Sequence, residues 1–285
     1  MNSLVRFEPI DYLVIGHITQ DLSPQGPRLG GTASYAALTA RAMGLRVGIV
    51  TACPADLNLP ELDGIPIARL CCEQATTFNN IQTPTGRVQT LLYKAPELTL
   101  TQVPEIWQNA PVVHLGPVAQ EVDPNLARSF PNSLVCVTPQ GWMRAWDENG
   151  RVHYTDWMEA AYVLEHAAAC VISFDDVQCS ETHIDEMLLA VRLLVVTEGA
   201  SGCRLFWNGD LRCFKPPLEI EVDPTGAGDI FAAGFFARLY ATRDPWEAAR
   251  FATLIAARSV TRLSLEGVPT PQEVQSSLLE ILSKS

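Results

Sequence analysis

Apolar runs of strand length alternate with helical patterns along most of this 285-residue chain. Residues 12–15 form a short apolar run ending in Gly16. A double glycine, Gly30 and Gly31, then opens the Ala-rich stretch TASYAALTARAM, which stops at Gly44 and leads into the run 47–51. Glycine just past the last helical residue is a common stop signal, so the segment reads strand, helix, strand with short joints. That is a βαβ unit, whose crossover is nearly always right-handed. Runs at 112–115, 134–137, 171–173 and 193–197 continue the rhythm. Their hydrophobicity is nearly continuous rather than alternating, which predicts strands covered by helices on both faces. Segments 203–207 and 211–214 flank Asn208-Gly209-Asp210, a compact hairpin signal. Two helices are predicted next, over 226–240 and 245–258. The second opens with Asp244, Pro245 and Glu247, an N-cap, first-turn proline and capping-box set. Its body is apolar almost all round, so it should be buried.

One stretch breaks the rhythm. Residues 61–93 are rich in Thr, Asn, Gln and Val with turn punctuation, as in TTFNNIQTPTGRVQTLLY. They predict a small antiparallel sheet inserted after the first βαβ unit; the alternative, a long irregular loop, is uncommon in compact domains. There is no internal repeat and no low-complexity tract. The length allows one large α/β domain or two smaller ones, with ample residues for a dry core.

Composition narrows the classes. Twenty basic against thirty-two acidic residues give a net charge of −12. Such a balance argues against a nucleic-acid binder, which needs clustered Lys and Arg, and against a polybasic membrane-surface protein. With 47% hydrophobic and 18% charged residues, disorder is excluded too. No apolar run approaches the roughly 18 residues of a membrane span. The N-terminal apolar run is interrupted by Glu8, Pro9 and Asp11 and lacks a small-residue cleavage site, unlike a signal peptide. The eight cysteines are scattered, without a C-x-x-C pair, and several sit in apolar runs. A reduced, cytoplasmic protein is expected.

The most informative string is Asp223-Pro224-Thr225-Gly226-Ala227-Gly228-Asp229, followed at once by the helical IFAAGFFARLY. Thr225 can cap that helix, and the glycines let a ligand approach the backbone. First-turn N–H groups lack intrahelical partners and sit at the positive end of the dipole, a cradle for an anion. A carboxylate beside bound phosphate suits proton handling: Asp229 can accept the hydroxyl proton of an attacking alcohol. No P-loop string, G-x-G-x-x-G fingerprint, G-x-S-x-G elbow or histidine metal spacing competes with this reading.

The string resembles the C-terminal signature of the PfkB, or ribokinase-like, carbohydrate kinases. Three further segments match in the same order: LGGTASYAALTARAMG the family's double-glycine motif, VVTEGASG its T-x-G-x-x-G nucleotide segment, and SVTRLSLEGVP its segment near the adenine pocket. The resemblance spans nearly the whole chain. It implies a single kinase domain over residues 1–285, a three-layer α/β/α sandwich with a mostly parallel central sheet. The insertion at about 61–93 would be its small β-sheet lid, which in some relatives also forms a homodimer surface. It further implies Asp229 as catalytic base, with Gly226, Ala227 and Gly228 as the anion hole. Thr197, Gly199, Gly202 and Thr225 would hold ATP; Asp21, Gly30 and Gly31 would bind substrate. Where the family often carries a substrate-binding Asn, this chain has Tyr35. Its N-x-x-E segment, associated with Mg²⁺, appears as Ser173-Phe174-Asp175-Asp176, leaving Asp176 as a ligand acting through water. Leu263 replaces the glycine expected after Val260-Thr261-Arg262, so a monovalent-cation site is left open.

TPQGWMR, with Gln140 and Arg144, and TTFNN, with Thr77 and Asn79, look like the branch that includes myo-inositol kinases. The changed sugar pocket, with Tyr35 and with Gly116 where ribokinases tend to place an acid, disfavours ribose. The expected function is an ATP- and Mg²⁺-dependent kinase acting on a hydroxyl of a small sugar or cyclitol. The alternatives are a nucleoside or hydroxymethylpyrimidine-type kinase, or a catalytically silent ligand binder on the same scaffold.

Overall fold

The computed structural model describes residues 7–23, 26–83 and 86–279. In chain order the first elements are β1 (Tyr12–Ile15), β2 (Thr19–Ser23), β3 (Gly26–Gly30), α1 (Thr32–Ala42), β4 (Val47–Cys53), β5 (Ile67–Cys71), β6 (Thr76–Thr83) and β7 (Gly86–Tyr93). The middle of the chain supplies β8 (Val112–Leu115), β9 (Leu134–Val137), β10 (Arg144–Trp146), β11 (Val152–Tyr154), α2 (Ala160–His166), β12 (Ala169–Ser173) and α3 (Glu181–Leu188). Last come β13 (Leu193–Thr197), β14 (Cys203–Trp207), β15 (Asp210–Phe214), α4 (Ala227–Thr242), α5 (Pro245–Ser259) and α6 (Pro271–Leu279).

Nine strands form the main sheet in the order β15-β14-β13-β12-β9-β8-β1-β4-β5. It is parallel from β5 to β13, and the β14–β15 hairpin adds two antiparallel strands at the other edge. Alternate residues of each strand enter opposite layers, as the period of two requires. Leu13, Ile15, Val113, Cys170 and Leu194 pack toward α2 and α3, whereas Tyr12, Val14, Val112, Val171 and Val195 pack toward α1, α4 and α5. Both faces are therefore buried, which explains the unbroken apolar runs. The result is the expected three-layer α/β/α sandwich. At its centre α4 packs so closely on α5 that a side chain at Gly234 would run into Ile255.

Two local expectations need correction. The capping box of α5 forms only in part. Asp244 accepts from the Trp246 and Glu247 amides, but the Glu247 carboxylate turns away to Arg238 and Arg250. The small sheet also differs from an insertion confined to 61–93. Its four strands run β3-β2-β6-β7, so half comes from residues 19–30, and β2 lies parallel to β6. Residues 67–71 instead form β5, the half-exposed edge of the main sheet, whose burial is too incomplete to leave a clear alternation. Pro27 and Arg28 within β3 interrupt the apolar signal that would have marked a strand there. Among the described residues, no helix is long and apolar enough to cross a membrane.

The small sheet meets the core through buried polar groups. His17 Nε2 donates to the Pro96 carbonyl (2.9 Å), and the Thr76 hydroxyl donates to His17 Nδ1 (2.7 Å). Burial lowers the His17 pKa, in keeping with the neutral ring that this pairing uses. Nearby, the fully buried Glu121 accepts from the amides of His17 (3.0 Å), Val118 (3.0 Å) and Ala119 (2.6 Å). Truncation to Ala would strand three buried donors, so Glu121→Ala is expected to lower stability by about 3–5 kcal/mol. Urea unfolding checks this; a midpoint within error of wild type would show the carboxylate to be dispensable.

Candidate active site

In parallel α/β sheets ligands collect at the carboxyl ends of the strands. Here that edge carries Gly16 after β1, Gly116 after β8, Thr138 after β9, Ser173 at the end of β12 and Thr197 at the end of β13. The N-terminus of α4 comes down beside them. Gly226 is its N-cap, in the left-handed region at φ 83°. A Cβ there would fall inside the Tyr35 ring, so only glycine fits. Tyr35 itself is buried on α1, and its phenol pairs with Ser264 Oγ (3.3 Å). Burial raises its pKa, so the phenol stays protonated. Tyr35, 2% exposed, thus braces the turn from below.

The turn is held by Asp223. Its Oδ1 accepts from the Thr225 amide and its Oδ2 from the Ser264 amide, both at 2.9 Å. Burial works to raise its pKa, but these hydrogen bonds, that of the Thr225 side chain, and the charge of Arg28 hold it below the usual carboxylate range. Thr225 consequently bonds back to Asp223 and does not cap α4, whose N-cap has no side-chain partner. The Ala227 amide returns to the Pro224 carbonyl (3.1 Å). Of the first-turn amides, those of Gly228 and Asp229 are the ones left without a backbone acceptor among the described residues. Gly228 is exposed, and a Cβ there would meet nothing within 4 Å, so an anion can reach these groups.

Asp229 sits in the first turn of α4 and is half-buried. Its pKa is pushed up to about 6, chiefly by burial, with Asp176 and Asp21 adding to the rise. A hydrogen bond from the Thr32 side chain and the positive Arg144 oppose it. Three other expected residues, Asp21, Arg144 and Asp176, therefore act electrostatically on Asp229. Arg144 donates to the Val118 carbonyl (3.0 Å) and lies 5.9 Å from the Phe78 ring centroid. Gln140 donates to Asp176 Oδ1 (2.6 Å), and the Ser173 amide to Oδ2 (3.0 Å).

Asp21 lies on β2, opposite Arg28 of β3. Side chains at Gly30 and Gly31 would collide with Asp21 and the His17 carbonyl, so the double glycine serves to bring this hairpin close to α1. Asp21, Arg28, Asn80, Asp223, Thr225 and Ser264 line a cavity of about 160 Å³. Sequence reasoning pointed to Thr77 and Asn79. Thr77 instead bonds the Ala75 carbonyl, and it is the next residue, Asn80, that lines the cavity. The alternation of side chains along β6 settles which of two adjacent asparagines faces in, and sequence leaves that phase open.

A second cavity, about 410 Å³, opens between the ends of β12 and β13 against Ser173, Phe174, Asp175, Thr197, Glu198, Gly199 and Ser201. Gly199 (φ 54°) has open space where a side chain would stand. Gly202 (φ 99°) is pressed onto the Phe214 carbonyl and shapes the turn. Glu198 is paired with Arg204 (2.7 Å). No cluster of three metal-ligating side chains exists among the described residues. If Mg²⁺ binds here it would do so through water, and Asp176 would be the carboxylate to hold it.

Comparisons with known proteins bear on the family and the fold. The family model described as "pfkB family carbohydrate kinase" matches residues 170–272. An inositol 3-kinase from Zea mays is 33% identical over 154 residues, 53% of this chain but 39% of the maize protein, so the match spans well under half of that relative. A cytidine kinase from Thermococcus kodakarensis is 27% identical over 257 residues, covering 80% of this chain and 88% of that enzyme. Among solved structures, a pyrophosphate-dependent kinase in the ribokinase family, complexed with a pyrophosphate analog and myo-inositol, superposes with TM-score 0.76. It is 18% identical, with 90% of this chain and 98% of that one covered.

Proposed function

Because this chain belongs to the PfkB, ribokinase-like family, we propose that it is an ATP-dependent kinase that phosphorylates a hydroxyl of a small sugar or cyclitol, with a myo-inositol-like ring favoured over ribose. The observation that carries this reading is Asp229, a carboxylate with its pKa raised to about 6, set beside the free amides that open α4 and facing Asp21. A base of that strength accepts a hydroxyl proton as the new O–P bond forms. The amides of Gly228 and Asp229, at the positive end of the helix, meet the charge growing on the transferred phosphoryl group. Asp21 and Asn80 orient substrate hydroxyls, and the 410 Å³ cavity beside Thr197 and Gly199 takes the nucleotide phosphates. Mg²⁺, when bound with the nucleotide, supplies further charge neutralisation next to Asp176.

The cytidine kinase relative, matched over most of its length, favours a second reading, a nucleoside acceptor. A base needs an exposed aromatic face, and the ring beside Arg144, Phe78, is 3% exposed. A polyol needs hydrogen-bonding groups alone, which Asp21, Arg28 and Asn80 provide. A panel of myo-inositol, other cyclitols, ribose, fructose and nucleosides, each with ATP and with pyrophosphate, tests this. Turnover is expected with a cyclitol or sugar. Cytidine as best acceptor would transfer the protein to the nucleoside reading, and silence throughout with ATP bound would make it a binder.

The raised pKa also gives a pH signature. Only the deprotonated carboxylate accepts a proton, so kcat/KM should fall as pH drops through about 6 and level off above about pH 7. A profile that stays flat from about pH 5 to pH 8 would take Asp229 out of the rate equation.

A further inference from the structure

We propose that Arg204 is the positioning residue of the phosphate-donor site: it pins Glu198 and Phe174, two walls of the 410 Å³ cavity, and cancels the Glu198 charge so that a polyphosphate can enter. The occupant of the cavity is taken from the kinase reading above; the contacts of Arg204 are independent of it. Among the residues that line this cavity, Asp175 and Glu198 are acidic and none is basic. A polyphosphate entering such a space meets like charge, which costs binding unless a nearby cation offsets it. Arg204 does not line the cavity, but it holds two residues that do.

Strand register puts it there. In the β13–β14 hairpin Arg204 stands opposite Val196, whose side chain belongs to the layer facing α2 and α3. Directly paired residues of neighbouring strands share a face, so Arg204 reaches the same side, where α3 begins. Its Nη1 donates to Oε2 of Glu181, the first residue of α3 (2.9 Å), and its Nε to Glu198 Oε1 (2.7 Å). The guanidinium carbon lies 5.2 Å from the Phe174 ring centroid and 5.7 Å from that of Phe206, within reach of cation–π attraction. The Arg204 side chain is 17% exposed and that of Glu198 26%, so water and salt screen this pair less than one on the open surface. Glu198 is also where β13 turns. Its amide donates to the Gly202 carbonyl (2.8 Å), and its carbonyl accepts from the Ser201 amide (3.0 Å). Fixing the Glu198 side chain therefore steadies the turn that brings Gly199 and Ser201 to the cavity. Phe174, just past the end of β12, is held by the same guanidinium. One cation thus ties together the two strand ends between which the cavity opens.

The test is calorimetric binding of MgATP and of magnesium pyrophosphate to the intact protein at low and high ionic strength. Arg204→Met keeps an apolar stem against the two rings and removes the charge. It is expected to weaken both donors by about 10-fold or more at low salt, and the ratio to wild type should shrink as salt screens the unpaired carboxylate. Adding Glu198→Gln should bring the affinity back to within about threefold of wild type, because no unpaired charge then faces the phosphates. A role confined to packing would show neither the salt dependence nor the rescue. In the kinase assay the loss should fall on KM for the donor rather than on KM for the acceptor. Where Met fails to fold, Arg204→Gln carries the same expectation. Wild-type affinity in folded Arg204→Met, or a loss that Glu198→Gln leaves in place, overturns the proposal. A wild-type protein that binds either donor but phosphorylates no acceptor removes the kinase reading alone, and one that binds neither overturns both.

Discussion

Asp229→Asn is expected to reduce kcat by about 10²- to 10⁴-fold, the usual contribution of a general base, while leaving the Kd for ATP near wild type. The amide keeps the shape and still faces the same pocket, but it cannot accept a proton. The same substitution should make the protein more stable at neutral pH. A carboxylate whose folded pKa is raised to about 6 from an ordinary value of 3.8 destabilises the fold when charged. That penalty is complete above about pH 6 and vanishes below the unfolded value, so the gain from Asn should be largest at pH 7–8 and fade as pH approaches 4. Turnover in a coupled assay, calorimetric nucleotide binding and thermal melts across pH measure the three effects. Retention of kcat within a few-fold would remove Asp229 from the chemistry.

Gly226→Ala should damage stability and activity together. At φ 83° a non-glycine residue costs about 1–2 kcal/mol, and the new methyl would enter the Tyr35 ring. Tyr35 is buried and its phenol is tied to Ser264, so relief has to come from the turn, at a further cost of about 1–3 kcal/mol. Displacing the turn moves the Gly228 and Asp229 amides, and loss of one such donor typically lowers kcat by about 10²- to 10³-fold. Trimming the ring with Tyr35→Ala should restore part of the lost turnover in Gly226→Ala, which a double-mutant cycle would register as coupling between the two positions. Additive losses would show that the ring and the turn act separately. Urea midpoints and kcat report the two halves of the expectation.

The fold was largely legible because the strands are buried on both faces. Runs such as LLVVT and the hairpin around Asn208-Gly209 carry their structure locally. What escaped was structure decided by pairing at a distance. β3, with Pro27 and Arg28, becomes a strand by lying against β2, which in turn borrows β6 from residues nearly sixty positions later. The site divides along the same line. Asp229 and its glycines announce themselves, since a helix start shows in the sequence. The Asp223 clamp on Ser264, the engaged Ala227 amide and the inward Asn80 depend on which faces meet. Tyr35 illustrates the difference most clearly. Read from the motif it occupies a sugar ligand's place, and in the fold it is a buried prop under Gly226.

The small sheet, stitched from residues 19–30 and 76–93, has a consequence for how such proteins diverge. A lid encoded as one contiguous insert could be exchanged between genes by a single recombination event. Here Asp21 and Asn80 face one cavity from different halves of the sheet, with α1, β4 and β5 encoded between them. A crossover anywhere in that interval pairs one parent's Asp21 with the other parent's Asn80. On the proposed reading, acceptor preference in this chain would be inherited as a pair of distant segments, and chimeras that transplant only the later one should lose selectivity before they lose the fold.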